Sequence, residues 1–360
     1  MPSRGCSGVR PEALAPDWAQ LAGPGALAQL TQPIASPSAQ AASFQAVSTD
    51  TIPQMVSAQD VLAWRRHQLA GRDRPAAALQ PDLDWLLDLG GGVGWQQLQQ
   101  LHLRPDQPVT LQRSLAALEA LWLRHLNDQV PLQHLLGICS WRDLTLQVGP
   151  GALIPRAETE LLIELALQCC PTPPSLWADL GSGSGAIALA LACAWPASTG
   201  LAVELSDEAR AIAAVNLQAA PQVQLLAGSW WQPLAPWWGQ LELVVANPPY
   251  IPEAVWAELE PVVRDHEPAL ALASGADGLG AIRAIAAQAS VALAPGGWLL
   301  LEHHHVQSAA VLDLLAAAGL QQLKRHRDLE GVWRFASGRA PGPPIAIEPA
   351  ANWCDMTPSP

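Results

Sequence analysis

The sequence predicts an α/β protein: a mainly parallel sheet covered by helices on both faces, preceded by a small helical domain. Three observations lead there. Beyond residue 154 short apolar runs alternate with helical ones, as in LWADL then AIALALACAW, and GLAVEL then DEARAIAAVNLQ. The first of these runs opens directly into a glycine-rich turn, the usual edge of an open α/β sheet. Residues 57 to about 136 read instead as several helices separated by turn signals.

Bulk properties bound the rest. A chain of 360 residues that is 50% hydrophobic is long enough for a sizeable core, two domains and tails. The longest apolar runs fall well short of the roughly 20 residues that span a bilayer, so no transmembrane helix is expected. The N-terminus, MPSRGCSGVRPEALAP, lacks the compact apolar stretch of a secretory signal. Six cysteines stand without a CxxC or metal-finger spacing, as reduced thiols of a cytoplasmic protein would. A net charge of -13 opposes docking on nucleic acid, where Lys and Arg supply most of the affinity.

Taken in order, residues 1–54 are rich in Ala, Pro, Gln and Ser and read as a disordered leader. Folded structure is expected from Met55, which is also a candidate translation start, and Ser57 is placed to cap the first helix. Residues 55–136 form the helical bundle. In the segment 111–127, Leu115, Leu118, Leu121, Trp122 and Leu126 make one apolar face. The bundle is a packing or partner-recognition module with no chemistry of its own. Residues 137–154, with a Gly-Pro-Gly break, are expected to form a hairpin linker. The α/β domain follows over 155–339. Its closing strands, LQQLKRHRD and VWRFAS, are joined by a short break that permits an antiparallel last strand. Residues 340–360 are a Pro-rich, disordered tail.

LWADLGSGSGA places Asp179 at the end of a buried strand, and Gly181, Ser182, Gly183, Ser184 and Gly185 in the turn before a helix. Glycines there permit positive φ and close backbone approach, and the helix start offers N–H donors. The next strand ends at Glu204, about 20 residues on, where an acid grips ribose hydroxyls in the dinucleotide pattern. The loop alone therefore indicates a nucleoside cofactor, either a nicotinamide dinucleotide or S-adenosyl-L-methionine (SAM).

The fourth strand chooses between them. LELVVA ends in Asn247-Pro248-Pro249-Tyr250, and two prolines cannot extend a central strand. They fix the backbone so that the Asn247 side chain and the Pro248 carbonyl become two preset acceptors beside the flat ring of Tyr250, an arrangement suited to a planar NH2 group. An amide or aromatic amine is a poor nucleophile. Hydrogen bonds to both of its N–H groups orient the remaining lone pair and disperse developing positive charge, and a sulfonium methyl is the matching electrophile. No metal is required.

These residues resemble a known family, the peptide chain release factor N5-glutamine methyltransferases (PrmC/HemK). The similarity runs from about Val130 to Gly338: PLQHLLG (131–137), IPRAETE (154–160), DLGSGSGAIALA (from Asp179), NPPYIP (from Asn247), EPALAL (from Glu267), DGL (from Asp277) and LLLE (ending at Glu302). The resemblance implies a Rossmann-like seven-stranded SAM-dependent methyltransferase fold with a small N-terminal helical domain for substrate recognition. It implies a cytoplasmic enzyme that methylates the glutamine side-chain amide in the GGQ motif of class I release factors and so modulates translation termination. It further implies that Asp179 and Gly181 to Gly185 bind SAM, the glycine loop embracing its methionine part, and that Glu204 holds the ribose. Trp230 would lie near the adenine, and Asn247, Pro248, Pro249 and Tyr250 would bind the substrate glutamine, with Asn247, Pro248 and Tyr250 as the catalytic residues and Asn247 also in contact with the cofactor. Glu204 and Ser229 stand where the family usually has Asp.

Among other residues, Arg156, Glu158 and Glu160 read as the cofactor entrance or as a solvated face, and His303 to His305 as a solvated loop. Three rival functions stay open on the residues themselves. Amino-group (N6-adenine) methylation of DNA or RNA uses the same clamp; a nicotinamide-dependent reductase would leave NPPY unused; and a non-catalytic SAM-binding module would not need so constrained a strand end.

Overall fold

The computed structural model describes residues 53–70 and 74–342. The expected leader, but for its last two residues, and the expected tail from residue 343 onward lie outside the described residues.

The helical part comprises β1 (Gln54–Ser57), α1 (Ala58–Leu69), α2 (Ala76–Trp85), α3 (Trp95–Leu101), β2 (Pro108–Leu111), α4 (Leu115–Asn127) and α5 (Leu132–Leu136). Ser57 ends β1 and caps α1. Its hydroxyl accepts from the Asp60 N–H (3.1 Å), and the Asp60 carboxylate accepts from the Ser57 N–H (3.2 Å), a reciprocal capping box. Ser114 caps α4 with its hydroxyl alone, which accepts from the Ala117 N–H (3.2 Å). Of the apolar face read from the sequence, Leu118, Leu121 and Trp122 are buried with Leu79, Leu83, Leu86 and Leu87, and Leu115 and Leu126 pack half-buried against them. What periodicity does not reveal is the antiparallel pairing of β1 with β2, two four-residue strands that the chain brings together from a distance.

Gly137, at φ 72°, ends α5 in the left-handed conformation. The hairpin β3 (Ile138–Trp141) and β4 (Leu144–Gln147) follows, and then α6 (Glu160–Cys169), an element the sequence reading does not anticipate. The remaining elements are β5 (Leu176–Leu180), α7 (Ala186–Ala194), β6 (Thr199–Glu204), α8 (Asp207–Asn216), β7 (Val223–Ala227), β8 (Leu241–Ala246), α9 (Glu253–Trp256), α10 (Pro261–Arg264), α11 (Gly280–Ala292), β9 (Leu293–Glu302), α12 (Ser308–Ala317), β10 (Gln321–Arg327) and β11 (Trp333–Arg339).

The seven strands run in the order β10-β11-β9-β8-β5-β6-β7. β7, β6, β5, β8 and β9 are parallel, and β11 lies antiparallel between β9 and β10. Strand alternation divides the core between the two faces. Trp177, Leu243, Val245 and Leu300 meet residues of α6 and α7, whereas Ala178, Leu180, Val244, Leu299 and Leu301 meet residues of α11 and α12. The chain builds outward from β5 through β6 to β7 and then returns to place β8 on the other side of β5. That reversal is a topological switch point, and the carboxyl ends of β5, β6, β8 and β9 meet around it. Among the described residues no helix is long and apolar enough to cross a membrane. The expectation for the histidine run needs correcting. His303 is fully buried, with its Nδ1 2.9 Å from the His304 carbonyl, because it continues directly from the buried end of β9; His305 is exposed.

Gly200 in β6 is opposite Trp177, and a Cβ there would collide with the buried indole. Gly200→Ala is therefore expected to lower stability by about 1–3 kcal/mol through overpacking. Urea denaturation checks this, and an unchanged midpoint would contradict it.

Candidate active site

Each parallel strand end contributes one part of the site. After β5, Gly181, Gly183 and Gly185 adopt φ of 73°, 54° and 81°, conformations that cost other residues strain. The N–H groups of Gly181 and Ser182 both donate to the Val203 carbonyl (2.9 Å), which ties the loop to β6. Asn216 of α8 donates to the Ser184 carbonyl (2.8 Å) and exchanges hydrogen bonds with the backbone of Gln147, so β4, α8 and the loop form one unit. A Cβ at Gly183 would meet nothing within 4 Å. The space beside that backbone is open, and it belongs to a cavity of about 260 Å³.

At the end of β6, Glu204 is largely buried and lines this cavity. Its carboxylate accepts from the Gly183 N–H through Oε2 and from the Ser206 N–H through Oε1, both at 2.8 Å. The longer acid thus folds back to brace the glycine loop, and each oxygen keeps lone-pair capacity for a hydroxyl donor. After β7, Trp230 takes a positive φ of 48° and lays its ring against Gly181, where a Cβ would sit 3.1 Å from it. Gly181, Ser182, Gly183, Ser184 and Trp230 all line the cavity. Asp179 does not: it lies beneath the loop with no exposed surface, and no hydrogen bond reaches either carboxylate oxygen. Burial raises its pKa to about 7, and the neighbouring Ser182 offsets only part of that, since its hydroxyl turns to the main-chain carbonyls of Asp179 (3.0 Å) and Val203 (3.3 Å).

After β8, Asn247 and Pro249 line the cavity, while Pro248 is buried and Tyr250 stands off the lining. Two side chains absent from the candidate site residues organise this turn. Asn247 Nδ2 donates to Thr159 Oγ1 (3.0 Å), Thr159 Oγ1 donates to Glu302 Oε2 (2.7 Å), and the Tyr250 hydroxyl donates to Glu302 Oε1 (3.3 Å). Thr159 has a single proton and commits it to the carboxylate, so its oxygen accepts from the Asn247 NH2 group. Asn247 Oδ1 is left as the uncommitted acceptor. Glu302, at the end of β9, is 1% exposed, and burial raises its pKa to about 7 against the hydrogen bonds from Thr159 and Tyr250 and the charge of Arg334.

Two further contacts frame the turn. Glu267, buried, accepts from Arg156 (2.6 Å) and from the Ile154 N–H (3.0 Å), which draws the 154–156 segment across the cavity edge. Of the charged cluster, Arg156 lines the cavity; Glu158 is exposed; and Glu160 begins α6 and accepts from the Arg142 N–H (3.1 Å). Gly278 is at φ 72°, and a Cβ on it would strike the Tyr250 carbonyl. Gln307 Nε2 donates to that same carbonyl (2.9 Å) and to that of Asp277 (3.1 Å). The only sequence signal for Glu302 was a carboxylate closing an otherwise apolar strand, LLLE.

No family model matches the chain. Among curated proteins, the release factor glutamine methyltransferase of Prochlorococcus marinus is 47% identical over 79% of this chain and 98% of that protein. That of Synechocystis sp. is 40% identical over 72% of this chain and 89% of that protein. This chain belongs to the release factor glutamine methyltransferase family. A solved structure of a release factor-specific protein-(glutamine-N5) methyltransferase from Alicyclobacillus acidocaldarius is 29% identical, covers 54% of this chain and 99% of that one, and has a TM-score of 0.34.

As a release factor glutamine methyltransferase, the chain carries a buried carboxyl under its glycine loop with a measurable consequence. A folded-state pKa raised from the usual carboxylate range to about 7 means that the folded protein holds a proton which the unfolded chain releases. Asp179 therefore weakens the fold progressively as pH rises through that window. Asp179→Asn removes the penalty, so its stability relative to the parent should improve steadily from pH 4 to 7. Parallel stability curves across that range would contradict the account.

Proposed function

We propose that this enzyme transfers a methyl group from SAM to the side-chain amide nitrogen (N5) of the glutamine in the GGQ motif of class I release factors, and so modulates translation termination. The observation that carries the reading is the uncommitted Asn247 Oδ1 at the cavity, directly across the switch point from the glycine loop.

The residues present fit the cofactor. Gly183 offers open backbone for the methionine part, with Gly181, Ser182 and Ser184 beside it on the lining and Gly185 turned instead towards Ala213 and Leu217, and the buried, unpartnered Asp179 carboxylate beneath them suits a nearby ammonium group. Glu204 retains lone pairs for the ribose hydroxyls, and the Trp230 ring suits the adenine. When bound, SAM supplies an electrophilic methyl group on a sulfonium. The chain's own part is to hold the glutamine amide. Asn247 Oδ1 and the Pro248 carbonyl accept its two N–H groups, which fixes the amide plane and disperses positive charge on the nitrogen. Pro249 lines the floor and the trapped Tyr250 keeps the turn rigid.

Residues 55–136 serve to recognise the protein substrate. A second cavity, of about 640 Å³, is lined by Trp85, His125 and Gln133 of the helical segment and by Val262 and Glu267, and it shares Arg156 with the first. The reading places the enzyme in the cytoplasm, with no membrane partner. Cys139, Cys169, Cys170 and Cys193 are free thiols, as a reducing compartment keeps them.

Purified enzyme with labelled SAM should label the release factor and leave its GGQ glutamine-to-alanine variant, DNA and ribosomal RNA unlabelled. Label on nucleic acid but never on the release factor would overturn the reading. Asn247→Ala should lower kcat by about 100-fold or more while SAM affinity changes less than about threefold. Unchanged turnover would remove Asn247 from its role.

A further inference from the structure

We propose that Thr159 and Glu302 are positioning residues that decide which end of the Asn247 amide faces the substrate. The proposal rests on the amide-methylating reading above and extends it to Thr159, which reaches the cavity lining but is given no substrate or cofactor contact in that scheme, and to Glu302, which lies behind it off the lining.

An asparagine side chain is nearly symmetric in shape, and its two ends differ only in what they offer: Oδ1 accepts and Nδ2 donates. A substrate NH2 group needs the acceptor. Sterics cannot enforce that choice, so a hydrogen-bond partner must. Thr159 alone would not suffice, because a hydroxyl both donates and accepts and would tolerate either end. Its proton is removed from the choice by Glu302, whose carboxylate can only accept when ionised. The chain Asn247 Nδ2–H to Thr159 Oγ1 (3.0 Å), then Thr159 O–H to Glu302 Oε2 (2.7 Å), therefore has one direction. Tyr250, the other donor to Glu302 (3.3 Å), cannot reverse it. Burial protects the chain from competing water: Thr159 is 4% exposed and Glu302 1%.

The direction depends on the Glu302 proton. A protonated Glu302 has an O–H of its own to donate towards Thr159 or Tyr250. The Thr159 hydrogen is then released to turn to Asn247, drawing Oδ1 inward and leaving the NH2 end towards the cavity. Burial places that protonation near pH 7. Thr159 on the loop before α6, Tyr250 after β8 and Arg334 on β11 oppose it, and Glu158 favours it. Activity should consequently have an acid limb, falling as pH drops through about 7.

A purely structural pin predicts otherwise, and the test separates the two. Thr159→Val keeps the shape and removes the hydroxyl; assayed well below its melting temperature, which falls because the buried Glu302 loses a donor, it should lower kcat by about 100-fold with SAM affinity little changed. Thr159→Ser, which restores the hydroxyl, should recover activity to within about threefold. Glu302→Gln should lose about tenfold or more of kcat at pH 8.5 and flatten the acid limb. Full activity of Thr159→Val on a release factor that the parent methylates would overturn the proposal while leaving the proposed reaction intact. An unshifted acid limb in Glu302→Gln would do the same.

A readout without substrate keeps the two claims apart. The chain has four asparagines, Asn127, Asn216, Asn247 and Asn352, so 15N-asparagine labelling resolves the Asn247 side-chain NH2 in the intact enzyme. Its signals should titrate with a midpoint near 7 in the parent and lose that titration in Glu302→Gln. Absence of titration in the parent would overturn the relay even if no release factor were ever methylated.

Discussion

The site hangs on one hydroxyl. Thr159 Oγ1 bridges the Asn247 amide and the Glu302 carboxylate, and so joins the segment before α6 to the ends of β8 and β9. Burying a carboxylate is costly unless its lone pairs are satisfied. Two O–H donors satisfy Glu302, and the geometry that satisfies it is the geometry that aims Asn247. Stability of the strand ends and orientation of the clamp are thus the same interaction seen from two sides.

The surrounding motifs become parts of one scaffold once that bridge is in view. Glu267 of EPALAL grips Arg156 and the Ile154 backbone, which positions the loop that delivers Thr159. The neighbouring Ile251 and Ala273 backbones pair, and Ile251 donates to the Leu272 carbonyl at 2.9 Å, so the stretch after NPPY is stitched to the same segment. Gly278 of DGL must lack a side chain for the Tyr250 carbonyl to approach. On the cofactor side, Glu204 braces Gly183 while Asn216 holds Ser184 against the hairpin. The parallel sheet supplies the common edge on which these pieces meet.

Features encoded by local chemistry were legible in the sequence. The N-cap at Ser57, the positive-φ glycines of the loop, the alternation of strands with helices and the antiparallel return of β11 follow from short windows of residue types, whereas the reciprocal contact of Asp60 that completes the capping box was not read. The pairing of β1 with β2 was not legible, because each strand is four residues long and its partner is remote. Nor was the role of Thr159. Nothing in a lone threonine announces a buried carboxylate contributed by another strand. The sequence also gives a residue's neighbourhood more readily than its direction. Asp179 sits at the expected loop yet beneath it, and Tyr250 at the expected turn yet with its hydroxyl on Glu302. Glu204 reaches Gly183 before any ribose, because its extra methylene lets it fold back.

The central claim is that the Asn247 acceptor faces the substrate nitrogen because its NH2 end is held by Thr159. The most direct measurement is a neutron or atomic-resolution X-ray structure, above pH 8, of the enzyme with a non-transferring SAM analogue and a release-factor peptide bearing the GGQ glutamine. The account predicts Asn247 Oδ1 at hydrogen-bond distance from the glutamine side-chain nitrogen, with Nδ2 still on Thr159 and Glu302 unprotonated. An Asn247 amide facing the other way, or a glutamine seated away from Asn247, would contradict it.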